Sequence, residues 1–105
     1  MKEYSDLHDQ QINILVCKAL GLEMSCYARI VTLDDATVLL SDNKTLVDYC
    51  NNPADAWPII VENRIRINPI LYTKWMAEDY LEDVSSCHEN PLRAAMIVFL
   101  MMQDH

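Results

Sequence analysis

A chain of 105 residues, about half of them apolar, can build the core of one domain without disulfide or metal staples. Its formal net charge of -8 excludes general binding to nucleic acid, which takes a basic face. Its single glycine excludes the Gly-rich loops that cradle phosphates, because those need several close backbone approaches.

The opening segment, Met1 to Asp6, has no apolar h-region, so no signal peptide is expected. Residues 9–20 are expected to form a first helix, with Ile12, Leu15, Val16, Ala19 and Leu20 as one buried stripe. Leu7 and Ile12 are spaced as a hydrophobic staple around His8 as N-cap, with Gln11 at N3, but His is a poor cap and Ser5 or Asp6 could start the helix earlier. Gly21 falls just past the stripe, where a left-handed cap belongs. Residues 26–33, rich in β-branched and aromatic side chains, are expected to form a strand, with a turn at Asp34-Asp35. Thr37 to Leu40 has the makings of a second short strand, and Ser41 to Lys44 of a polar turn. Thr45 to Tyr49 fits either a strand end or a helical turn.

Asn52 can cap a helix with Pro53 at N1, but Pro58 predicts that this helix stops within a turn or so. Ile59-Ile60-Val61 then has the composition of a buried strand. A turn at Glu62-Asn63-Arg64 would lead into a return strand carrying Ile65, Ile67 and Ile70. Residues 71–84 suggest an amphipathic helical segment, with Leu71 and Trp75 on one side and Glu78, Asp79, Glu82 and Asp83 as acidic surface. Ser85 to Glu89 is expected to be a linker. A final helix starts at Asn90 as N-cap with Pro91 at N1, and apart from Arg93 it is apolar on every side until Gln103. Such a helix is buried all round, either by the rest of its own chain or by a second copy, so a homo-oligomer is expected. The fold class is α+β, a single domain over residues 1–105. It would hold a small antiparallel sheet of three to four strands, packed with an N-terminal helix and an apolar C-terminal helix.

Cys17, Cys26, Cys50 and Cys87 form no Cys-x-x-Cys, and Cys87-His88 is adjacent rather than at ligand spacing, so no metal and no cofactor is expected. The longest apolar run, Ala94 to Met102, is far below the ~20 residues of a membrane span. The expected setting is the cytoplasm, with reduced thiols and no membrane partner.

Three pieces of the chain resemble the NinX family of small proteins encoded by lambdoid phages of enteric bacteria. They are the leading helix with Ile12-Asn13 and its Ala19-Leu20-Gly21 end, the segment Asn52 to Asn63 with its Trp57-Pro58 step, and Asn90 to Leu100. The resemblance implies a phage origin, a place in the host cytoplasm and an accessory, non-structural role. Genes of that kind lie among replication, recombination and host-takeover functions. It implies no catalytic residues.

Asn51, Asn52, Asp55, Trp57, Asn63 and Arg93 are the candidate ligand-binding residues. A base could stack on Trp57, an Asn or Asp could read its edge, and Arg93, in the first turn of the last helix, could hold a phosphate. The chain would then be a binding module that captures a nucleotide-like small molecule, with a counter-defence role. Against this, Asn52 is fully explained as a helix cap, Trp57 as a core residue, and Arg93 as an ion-pair partner of Asp55 or Glu62. The alternative is an acidic inhibitor that binds a basic site on a host nucleic-acid enzyme through Glu78, Asp79, Glu82, Asp83 and Glu89. A structural accessory protein without a small-molecule ligand is the third reading. An enzyme is the weakest, because no Ser, Cys or His stands in a nucleophile or acid–base context.

Overall fold

The computed structural model describes residues 4–25 and 36–104. The strand expected over 26–33 and the turn at Asp34-Asp35 lie outside the described residues. Those described form helices α1 (Asp9–Ala19), α2 (Pro53–Glu62) and α3 (Pro91–Gln103), and strands β1 (Val38–Leu39), β2 (Leu46–Val47), β3 (Arg66–Leu71), β4 (Lys74–Glu78) and β5 (Ser85–His88). The result is the expected α+β fold, with helices at both ends and two antiparallel sheets, β1-β2 and β3-β4-β5.

α1 starts at His8, whose backbone N–H donates to Gln11 Oε1 at 2.8 Å. It ends in a Schellman motif: Gly21, at φ 75°, donates to Lys18 O at 3.1 Å, and Leu22 to Cys17 O at 2.9 Å. The buried stripe is turned from the expected one. Ile12, Asn13, Val16 and Cys17 face inward, while Ala19 and Leu20 are exposed. An amide thus lies in the core, and its partners belong to the site described below.

β1 and β2 pair through Val38↔Val47 and Leu39↔Leu46, so Leu46-Val47 is a short strand, and the chain then turns at Tyr49-Cys50. Asp42 holds the turn by accepting from Lys44 N at 2.9 Å and Thr45 N at 2.8 Å.

α2 departs from expectation, because it runs through Pro58 and includes Ile59, Ile60 and Val61. Pro58 removes the bond to the carbonyl of Ala54, at a cost of about 3 kcal/mol. Ala54 and Pro58 are both exposed, so water can take that carbonyl. Burying Ile59 and Ile60 returns about 1.5–3 kcal/mol each, which outweighs the loss. The helix closes in a second Schellman motif, Arg64 N to Val61 O at 3.3 Å and Ile65 N to Ile60 O at 3.0 Å, with Arg64 at φ 54°.

The hairpin partner of β3 is therefore not 59–61. β3 pairs with β4 through Ile67↔Ala77 and Pro69↔Trp75, around a turn at Tyr72-Thr73, and β4 pairs with β5 through Trp75↔His88 and Ala77↔Ser86. The expected helical segment 71–84 is a hairpin arm and a turn, and the expected linker at 85–89 supplies an edge strand. Ala77, fully buried, marks the face of this sheet that α3 covers.

α3 is the centre of the molecule. Arg93 to Leu100 are all buried, against β4 and β5 on one side and α1 and α2 on others. Its own chain covers the apolar helix, so its burial does not call for a second copy. Among the described residues, no helix is long and apolar enough to cross a membrane.

Candidate functional site

Two polar regions stand out. The first is the loop 48–52 between β2 and α2, which is stitched to both terminal helices. Asn13, inside the core, donates to Asp48 Oδ1 and Ala36 O, both at 2.9 Å, and accepts from Cys50 N at 3.1 Å. Asn90 caps α3 by accepting from Leu92 N at 3.0 Å and Arg93 N at 3.3 Å. Its amide also donates to Cys50 O at 2.7 Å and Asn51 Oδ1 at 3.1 Å. His88 Nδ1 accepts from Asn90 N at 2.9 Å. Asn51 Nδ2 bridges Asp9 Oδ2 at 3.2 Å and Asp48 Oδ2 at 3.0 Å.

Arg93 lies at the buried end of this network and is only 6% exposed. Nη1 meets Asp9 Oδ1 at 2.6 Å, and Nη2 donates to Leu7 O at 2.6 Å and Ser5 O at 3.1 Å. Its ion-pair partner is thus on α1, rather than Asp55 or Glu62. Its Nε is buried without a protein partner. A phosphate at Arg93 would have to displace Asp9 and two carbonyls.

The other candidates are spread along α2. Asn52 is the N-cap and accepts from Ala54 N at 3.0 Å. Asp55 accepts from Asp48 N at 2.9 Å. Asn63 is the C-cap residue and donates to Ile59 O at 2.8 Å. Trp57 is 59% exposed and so is not a core residue. The structure brings Asn51 and Arg93 into one network through Asp9, and joins Asp55 to it through Asp48. Asp9, Asn13 and Asp48 were missed as members. One signal was available: Asn13 sits between Ile12 and the apolar positions that follow, where an amide must find partners.

The second region is the turn 79–84, between β4 and β5. Asp79 is buried, and its Oδ1 accepts from Asp83 N at 2.7 Å and Val84 N at 3.1 Å. Asp79 N donates to Val84 O at 3.2 Å, and Glu82 takes φ 61°. The carboxylate thereby fixes a tight turn that holds Tyr80 and Leu81 out, 54% and 62% exposed. They line a shallow depression of about 260 Å³ together with Asp79, Asp83 and Met102. Arg66 pairs with Glu82 at 2.8 Å and lies 3.8 Å from Glu78, so part of the acidity is balanced. Asp83 and Glu89 are exposed. The arrangement offers two apolar anchors beside carboxylates. Among the described residues, no group of three or more His, Cys, Asp or Glu is placed to hold a metal ion.

The family profile of bacteriophage P22 NinX matches residues 3–103, nearly the whole chain. The chain belongs to the NinX family. No curated protein matches it. A phage protein from Bacillus cereus ATCC 14579, known from a 2.0 Å crystal structure, superimposes with a TM-score of 0.60. The match covers 95% of the NinX-family chain and 96% of the other, at 16% identity, so the two share a fold.

Proposed function

We propose that this NinX-family chain is a non-enzymatic phage accessory module that binds a basic surface of a host protein through the turn 79–84. The observation that carries the reading is the pair Tyr80 and Leu81, held outward by the buried carboxylate of Asp79 with Asp83 beside them. Exposed aromatic and aliphatic side chains on a rigid turn are economical anchors, because little ordering is left to be done on binding. Carboxylates around them, on a chain of net charge -8, select a basic partner and speed its approach. Host nucleic-acid enzymes present such basic surfaces.

The test is capture of host proteins by the wild-type chain and by Tyr80→Ser, Leu81→Ser and Asp83→Lys variants at low and raised salt. A basic protein should be retained by the wild type, lost from all three variants and released by salt. Equal retention on the variants would sink the proposal.

Capture of a nucleotide-like molecule is the second reading, favoured by the exposure of Trp57. Native mass spectrometry of protein purified from infected host cells separates the two. A nucleotide-sized adduct lost in Trp57→Ala supports capture, and an adduct-free mass removes that reading.

A further inference from the structure

We propose that the free edge of β5 takes up an extended basic segment of the partner as a further strand, an inference that rests on the reading of the turn 79–84. β3 and β5 are the two edges of their sheet. The phase of the ladder fixes which groups each edge offers. Asp79 N donates to Val84 O at 3.2 Å, in line with the register that pairs Glu78 with Ser85 and Ala77 with Ser86. Bonded and unbonded pairs alternate along an antiparallel ladder. Ser86 and His88 therefore bond to β4, while Ser85 and Cys87 turn their backbone N–H and C=O groups away from it. Both residues are exposed, and among the described residues no other strand pairs with this edge.

The two edges differ in kind. The same alternation turns the backbone nitrogen of Pro69 outward on β3, where it has no hydrogen to offer, and a proline there closes an edge to other chains. β5, Ser85 to His88, carries no Pro, Lys or Arg, so its edge stays open.

Charge and continuity identify the occupant. β5 starts at the residue after the turn that presents Tyr80 and Leu81, so the edge continues the surface already assigned to the partner. Asp83 and Glu89 flank β5 in the chain, both exposed and in no ion pair among the described residues. Arg66, the cation nearest in the sheet, is occupied by Glu78 and Glu82. An added strand with a Lys or Arg toward each end meets a carboxylate at each, and an acidic strand is repelled. Main-chain bonds then hold the segment, and its charged ends select it.

The probe is a synthetic peptide of about seven residues, alternating valine and threonine with a lysine at each end, titrated to about 1 mM into the full chain. In amide NMR spectra the signals of Ser85 and Cys87 should move downfield, and those of Ser86 and His88 much less. Ser85→Pro and Cys87→Pro each remove an outward N–H without touching the bonds to β4, and each should weaken binding at least about fivefold. The same spectra show whether each variant is folded, and if one is not, the other decides. A glutamate-ended peptide should bind at least about tenfold more weakly than the lysine-ended one. No shift at Ser85 and Cys87, undiminished binding by a folded proline variant, or equal binding of the two peptides would each overturn the proposal. Capture of host proteins separates it from the reading of the turn. A basic protein lost from Leu81→Ser but retained by folded Cys87→Pro overturns the added strand alone. One lost from Cys87→Pro but retained by Leu81→Ser supports the strand and overturns the role of the turn.

Discussion

Asn90 shows why one residue type and not its near twin occupies a cap. Its Oδ1 closes the first turn of α3, a task that aspartate performs as well, and the helix dipole would favour the extra charge. The amide nitrogen, however, also donates to the backbone carbonyl of Cys50 and to Asn51 Oδ1. Asn90→Asp should therefore lose about 1–3 kcal/mol in urea unfolding, despite keeping the cap. An unchanged midpoint would mean that the 48–52 loop is held by its other bonds. Tyr4 gives a prediction in pH. Burial first, then the hydrogen bond to Asp104 and that group's charge, push its phenol from an ordinary value near 10 up to about 12. A pKa raised on folding contributes stability that is fully present below the unfolded value and is lost as pH climbs toward the folded one. The wild type should lose stability between pH 10 and about 12, and Tyr4→Phe should lose less over that window, as read by thermal melts. Site residues were legible where a local device explains them, as with Asn52 and Asn90. They were illegible where the partner is remote in sequence. Nothing in the spacing joins Arg93 to Asp9, 84 residues away, and only the packing of α1 on α3 brings them to 2.6 Å.

At the scale of elements, helix ends were more legible than helix bodies. Gly21, Asn52-Pro53 and Asn90-Pro91 act as the sequence suggests, and of the starts open to α1 the structure takes His8. Pro58 misleads, because its local cost is outweighed by the burial of the two residues after it. The 71–84 stretch misleads in the other direction. Leu71 and Trp75 are spaced as helix neighbours, but cross-strand pairing puts Trp75 between Pro69 and His88. Ser85 to His88 has weak strand character of its own and becomes β5 through its neighbour β4. The end of α2 carries a prediction of its own. Arg64 occupies a left-handed position for which glycine is suited, and its backbone N–H is already bonded to Val61 O. Arg64→Gly should stabilise the chain by about 1 kcal/mol, from relief of a left-handed side chain set against the greater entropy of an unfolded glycine. A fall in the unfolding midpoint would show that the arginine side chain contributes more than its backbone costs.

Across the whole molecule, one chain encloses its own core. α3 supplies the centre of the core and is enclosed by α1, α2 and the three-stranded sheet of its own chain. A monomer should consequently be a complete folding unit. In an obligate dimer, unfolding reports the association, and its midpoint moves with protein concentration. Here the core is closed within one chain, so the urea midpoint should stay fixed as the protein concentration is raised. A midpoint that climbs with concentration would show that a second copy completes the fold.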